Sequence, residues 1–398
     1  MTTRSLFAAL LLWLSFLAPA GAAVEPSGFQ FLATPGPYAV GLKVVYQYDG
    51  KRPAPADDAG KPVHDRHGRP LQTLVWYPAQ KRGGTVMTVG DYVALAATQF
   101  HFDTPDPRNR WATSLLAASR SVPLWAIRNA APLAGHFPVV IYSPGQSSVA
   151  WDNADLCEYL ASHGYVVIAS PSMGATTFDS DDNLPDVNAQ AADILFLIDY
   201  AKTLPDADLS KLAVAGWSWG GLANLFAAAR DPHIDALVAF DGSMRYYPGL
   251  IKAAGDVHPE QMSIPLLFFT EGEITLEELP KLYAQNPYFA GPSTLDEWTH
   301  GDLLTAHMLG MPHPGFSSMY QRRESPQKFA ENQKADYDRA DVNVSYAWVA
   351  RYTLEFLDAY LKRDTTAQAF LRNTPATNGV PKHIMAVDFR AAKRDAQP

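Results

Sequence analysis

The sequence predicts an α/β fold with a mostly parallel central sheet and helices on both faces. Three observations carry that expectation. Short apolar runs such as PVVIYS (138–143), YVVIAS (165–170) and IPLLFFT (264–270) show no alternation, as expected for strands buried on both faces. Stretches with apolar residues at helical spacing separate them. The two kinds take turns along residues 138–270, the order from which right-handed crossovers build a parallel sheet.

Taken from the amino terminus, residues 1–23 read as a signal peptide. Arg4 gives a basic start, an apolar run follows, and small residues at Ala20, Gly21 and Ala22 suit a cleavage site after Ala22 or Ala23. The mature chain, 24–398, is expected to be exported as one domain, secreted or periplasmic, with no stable membrane insertion. An amino-terminal strand pair is expected in GPYAVGLKVVYQYDG and RPLQTLVWYPAQ, around a Pro/Asp/Gly-rich loop. Residues 88–136 carry helical patterns, GDYVALAATQF and RWATSLLAASRS, and read as a helical insertion or cap over the site.

Beyond 138, WDNADLCEYLASHG predicts a helix capped by Asp152 or Asn153 and ended by Gly164. The next helix, from Asp186, shows an apolar face of Ala191, Leu195, Ile198 and Ala201. KLAVAG, GGLANLFAAARD and ALVAFD then read as strand, helix and strand. Near the end, residues 340–363 predict a long amphipathic C-terminal helix. The acids of DSDDNLPD (179–186) lack calcium-loop spacing and read as a solvated turn capping that helix from Asp186.

Composition narrows the function. The net charge is −9 with no basic block, which argues against nucleic acid or an anionic membrane as partner. Cys157 stands alone, so no intramolecular disulfide can form, and its place in a helical pattern predicts a buried structural thiol. No zinc-ligand pattern and no phosphate-cradling loop is visible, so neither metal nor cofactor is expected. Asn343-Val344-Ser345 fits a glycosylation sequon.

The chemistry concentrates in KLAVAGWSWGGLANLFAAARD. Gly216-Trp217-Ser218-Trp219-Gly220 is a G-x-S-x-G pattern, weak alone but here preceded by a strand and followed by a helix. That context predicts a strained turn presenting Ser218 as a nucleophile, with small residues relieving the crowding. Such a serine needs a base and an orienting acid later in the chain. His313, in the Pro/Gly loop after a strand-like run, is the expected base, with His307 inside the run as the alternative. For the acid, Asp241 ends one strand, and Glu271 and Glu273 end the next; spacing leaves the choice open. An oxyanion hole is expected from the amides of Trp219 and of Gln146 in SPGQSS.

These motifs resemble those of the α/β-hydrolases of the platelet-activating-factor acetylhydrolase and dienelactone hydrolase group. The likeness rests on GPYAVG, WYP at 76–78, YSPGQSS followed by LASHGYVVIASP, and GWSWGG, AFDGS and HPGF in that order. It covers roughly residues 36–80 and 138–320. The resemblance implies the α/β-hydrolase fold, maps the acid onto Asp241, and matches a histidine followed three residues later by phenylalanine at His313 and Phe316. This chain departs from many relatives in having Pro144 before Gly145 and Trp217 before the serine; GWS also occurs in secreted cutinase-like polyester hydrolases. The implied activity is hydrolysis of carboxylic esters, of short acyl chains or of phospholipid type, with a small-molecule or lipid ester as partner. Alternatives are an acyl-peptidase or amidase, a polyester hydrolase, and a binding protein that kept the fold without the chemistry.

Overall fold

A computed structural model describes residues 27–56, 67–81, 83–103, 110–271, 286–332 and 336–393. The leader expected at residues 1–23 and the candidate acid Glu273 lie outside them. Strands β1 (Ala39–Asp49), β2 (Arg69–Ala79), β3 (Val86–Thr88), β4 (Pro123–Arg128), β5 (Phe137–Ser143), β6 (Val166–Ala169), β7 (Ala207–Trp217), β8 (Ala236–Phe240), β9 (Leu266–Glu271), β10 (Leu303–Met308) and β11 (Met385–Arg390) form one sheet. Their order is β11-β10-β9-β8-β7-β5-β6-β2-β1-β4-β3. From β10 to β6 every neighbouring pair is parallel, whereas β2 and β11 join this block antiparallel.

The uninterrupted apolar runs feed two cores by strict alternation. Val139, Ile141, Leu212, Val214, Leu237 and Phe268 enter one face. Val140, Tyr142, Ala213, Ala215, Val238 and Phe269 enter the other. Because successive side chains leave a strand on opposite sides, each strand fills both layers and must be apolar throughout. Helices α4 (Leu184–Ala201) and α5 (Trp219–Arg230) cover the first face. Helix α3 (Ala154–Ser162) and the long helix Arg339–Leu361 cover the second.

Several expectations need correction. In α4 the buried apolar residues are Val187, Ala191, Ile194, Leu197, Ile198 and Ala201, while Leu195 is only half-buried. Packing against both the sheet and α5 turns Ile194 and Leu197 inward and leaves Leu195 at the margin of the stripe. Residues 88–136 contribute helices α1 (Val89–Ala96) and α2 (Arg110–Leu115) but also β4, parallel to β1. PLWAIR alternates in burial, a strand signature within a stretch read as helical. Fully buried Glu158 of α3 fastens this segment, accepting the amides of Trp125 and Ala126 and the Tyr92 hydroxyl, which itself takes the Trp76 Nε1–H. Burial raises the Glu158 pKa to about 8. The long helix is not the last element, since Thr365–Arg372 and β11 follow it.

Asn343 is only 5% exposed; its amide donates to the Gly28 carbonyl and its oxygen accepts the Gln30 N–H. A side chain so occupied gives the sequon no acceptor in the folded protein. Cys157 is fully buried, and burial pushes its thiol well above the usual range. Among the described residues no helix is long and apolar enough to cross a membrane.

Candidate active site

The parallel strands direct the site to one edge. β5 lies between β6 and β7, so the chain departs to opposite sides after it, and the carboxyl ends of the strands at such a switch point are where sheets of this kind bind ligands. Onto that edge fall Gly145 and Gln146 after β5, Ser218 after β7, Asp241 after β8, Glu271 at the end of β9 and His313 in the loop beyond β10.

Ser218 has φ 54° and ψ −121°, a conformation that a side-chain-bearing residue adopts only under constraint. The surroundings supply the constraint. Its amide donates to the Phe240 carbonyl, and its own carbonyl accepts the amides of Gly221 and Ser243. A Cβ on Gly216 would lie 2.6 Å from Asn224 Nδ2, and one on Gly220 would lie 2.1 Å from the Ser143 carbonyl oxygen. Close approach of α5 to the end of β7 therefore forces glycine at 216, and close approach of β5 to the start of α5 forces it at 220.

His313 Nε2 lies 2.9 Å from Ser218 Oγ, and its Nδ1 lies 2.5 Å from Asp241 Oδ2. With the Nδ1 proton toward Asp241, Nε2 is left to accept the Ser218 hydroxyl proton. His307 stands within β10, in register with Thr270 and Ala386. Of the two carboxylates described, Asp241 meets the ring, while Glu271 Oε2 accepts the His313 backbone N–H at 3.0 Å. The Tyr246 hydroxyl lies 3.1 Å from Asp241 Oδ1 and 3.3 Å from Glu271 Oε1, between the two acids. The buried Arg245 guanidinium is 3.9 Å from Asp241 Oδ1. Asp241 is fully buried and has φ 43°.

These charges act on the imidazole. Burial disfavours its protonated form, but the hydrogen bond and charge of Asp241, with the charge of Glu271, outweigh burial and hold its pKa above the ordinary value. Asp241 on the ring and the nearby charge of Glu271 stabilise the imidazolium that would form on taking the serine proton.

On the opposite side, Trp219 is the first residue of α5, so its N–H belongs to the amides without an intrahelical acceptor and lies at the positive end of the helix. The Gln146 N–H gives no hydrogen bond among the described residues. The loop carrying it is braced by Asp152, which accepts the Gly145 N–H and the Tyr142 hydroxyl proton; burial lifts the Asp152 pKa to about 6. The sequence pattern offers Asp152 or Asn153 as the cap of α3, and the structure uses their side chains otherwise. Asn153 occupies the N-cap position without a side-chain cap bond. Its amide donates to Tyr142 and to the Phe316 carbonyl, and its oxygen accepts the Ser318 amide and the Tyr346 hydroxyl. Asn153 thus ties the end of β5 to the histidine loop, while the Asp152 side chain holds the loop of Gln146; the partners of Asn153 lie up to 193 residues away in sequence. Arg245 and Tyr246 also lie outside what the motifs indicate; their proximity to Asp241, four and five positions on, was the available signal.

Trp217 packs its ring 5.3 Å from that of His313 and donates its Nε1–H to the His313 carbonyl. Trp219 is buried, edge-on to Tyr247, which in turn lies 4.7 Å from Phe289. The arrangement as a whole can move a proton from a hydroxyl to a ring held by a carboxylate. Among the described residues there is no group of three or more His, Cys, Asp or Glu able to hold a metal ion.

Comparison with known proteins follows the same lines. A family model described as chlorophyllase matches residues 109–242, about a third of the chain. A cutinase of Thermobifida fusca is 28% identical over 215 residues, 44% of this chain and 62% of the cutinase, so the match spans less than two thirds of that relative's length. A probable 1-alkyl-2-acetylglycerophosphocholine esterase of Arthroderma benhamiae is 28% identical over 159 residues, 34% of this chain and 40% of that protein. Among solved structures, a ferulic acid esterase from Streptomyces cinnamoneus superposes with a TM-score of 0.62 at 19% identity, covering 91% of this chain and 99% of the other.

Proposed function

Since the chain belongs by its fold to the α/β-hydrolases, we propose that it hydrolyses carboxylic esters through an acyl-enzyme on Ser218. One observation carries the reading: a serine on a strained turn, 2.9 Å from a histidine whose other nitrogen is held by a buried carboxylate. Ser218 Oγ attacks the ester carbonyl carbon as its proton passes to His313 Nε2. Asp241 keeps the ring oriented and stabilises the imidazolium. The amides of Trp219 and Gln146 take the oxyanion. Collapse of the tetrahedral intermediate breaks the bond to the alcohol, which leaves with the proton from His313. Water then repeats the sequence on the acyl-enzyme and releases the acid.

Relatives named as a cutinase and an esterase support ester over amide as the bond cleaved. The partner is a small-molecule ester, and residues 1–23 act as an export leader. Ser218→Ala should lower kcat on p-nitrophenyl esters by on the order of 10⁶-fold and abolish labelling by a fluorophosphonate. Full hydrolysis by that variant would end this reading. Faster turnover of matched p-nitroanilides than of the esters would make the enzyme an amidase instead.

A further inference from the structure

The acidic stretch 179–186 does more than cap α4. Asn183 occupies the N-cap and accepts the Asp186 amide, which leaves Asp182 free of any capping duty. Its carboxylate reaches across the mouth of the site instead. Oδ1 accepts Gln146 Nε2–H at 2.8 Å, and Oδ2 accepts the Tyr247 hydroxyl at 2.5 Å. Gln146 is the residue whose amide faces the ester in the reading above. Tyr247 packs edge-on against Trp219, which carries the other amide.

The loop that Asp182 grips has one internal turn bond, from the Ser148 amide to the Gly145 carbonyl, and a residue in a strained conformation. Ser147 has φ 50°, in the left-handed region that residues other than glycine seldom occupy. The loop is held from outside. Ser147 and Ser180 exchange amide-to-hydroxyl bonds of 3.2 and 2.8 Å, Gln190 donates to the Pro144 carbonyl, and the Ser148 carbonyl accepts the Ser172 amide. Among these contacts, only the one from Asp182 engages the side chain of Gln146. The residue type also fits: both neighbours are donors, and a carboxylate is the side chain with two acceptor oxygens and no proton to offer.

Resting on the ester-hydrolase reading, we propose that Asp182 is a positioning residue for the oxyanion hole, bridging Gln146 and Tyr247 so that the Gln146 amide stays aimed at the carbonyl. Each bond alone is modest at an exposed site. A displacement of about 1 Å at an oxyanion donor is enough to lower kcat by up to about a hundredfold.

The test is steady-state kinetics of the full chain on a p-nitrophenyl ester, with melting temperatures on the same samples. Asp182→Asn sets an NH₂ against one of the two donors, and Gln146→Glu sets two carboxylates face to face. Each should lower kcat by roughly tenfold or more while KM stays within about twofold, because the lost contact matters in the transition state. In the double variant the polarity of the bridge is reversed. The carboxylate introduced at position 146 then accepts from the amide introduced at position 182, whose oxygen keeps the Tyr247 hydroxyl. Its kcat should return to within about threefold of the parent.

A second readout follows the proton. In Gln146→Glu alone the facing carboxylates share a proton at low pH, so its kcat relative to the parent should rise as pH falls. The double variant should show no such rise. Melting temperatures should not change, since both residues lie at the surface. Single variants with parental kcat, a double variant no better than the worse single, or a pH-independent ratio would each overturn the proposal. Ser218→Ala measured alongside separates the two levels. If it is inactive while the bridge variants are normal, only the bridge is wrong; if it is active, the ester-hydrolase reading itself falls.

Discussion

On the base side of the site, Asp241 is fully buried, Arg245 and Glu271 are buried beside it, and the acceptors of Asp241 and Glu271 are met by His313, Tyr246 and backbone amides. On the oxyanion side, Gln146 and Asp182 are exposed, and the loop is kept in place by several separate hydrogen bonds to the 172–190 segment. The difference follows from what each half must do. A charge that has to favour one protonation state acts most strongly where water is excluded. The loop of Gln146 lies at the surface, where each hydrogen bond is weaker, and several of them share the task of holding it.

That contrast can be broken at its strongest point first. Asp241→Asn should leave the fold intact yet lower kcat by about 10⁴-fold, because the wrong imidazole tautomer is then favoured. The fluorophosphonate labelling rate should fall in parallel. A variant keeping more than a tenth of the parental kcat would move the orienting role to Glu271.

Next comes the exposed half. Asp182→Ala removes both bonds of the bridge and should lower kcat by about ten- to a hundredfold, with KM nearly unchanged. A change confined to KM would mean that Asp182 serves binding of the ester and not its transition state.

The smallest effect sharpens the role of Glu271. His313 must be neutral to act as a base, so activity rises with pH through its raised pKa. Glu271→Gln keeps an oxygen to accept the His313 amide but removes one of the charges that raise this pKa. The acid limb of kcat/KM should therefore move to lower pH, while the plateau changes little. An unmoved limb would reduce Glu271 to a backbone tether.

The same raised pKa links stability to pH. The folded state binds the His313 proton more tightly than the unfolded chain. Stability from this group is therefore present below the unfolded pKa, about 6.5, and is lost as pH rises through the folded value. Thermal melts of Asp241→Asn across this range should show a weaker dependence than the parent.

Reading the sequence element by element worked where the signal is local. The strands from β5 to β9 are recognisable because each fills two cores and is apolar without a break. Ser218 is recognisable because glycines at 216 and 220 flank it between a strand pattern and a helix pattern that are both local. Where several partners compete, local pattern gives out. Leu195 belongs to the helical stripe by spacing and lies half-buried at its margin; β4 falls in a stretch that reads as helical, yet it pairs in parallel with β1. Asp152 and Asn153 look like caps, yet the Asp152 side chain braces the loop of Gln146 and that of Asn153 serves the histidine loop.

By itself, the sequence determined the alternation of strand and helix, the sharp turn at Ser218 and the short set of acids and histidines that could serve it. Only the tertiary structure decided among them. Phe240 and Phe269 are in register on adjacent parallel strands, so Asp241 comes level with Thr270, one residue short of Glu271, and spacing along the chain cannot rank the two acids. The approach of the loop after β10 ranks them by bringing the ring of His313 to Asp241 and its backbone to Glu271. The physical reason is range. A turn or a strand is set by neighbours a few residues apart, whereas these contacts join residues 42 and 72 positions apart, which only packing of the whole sheet can align.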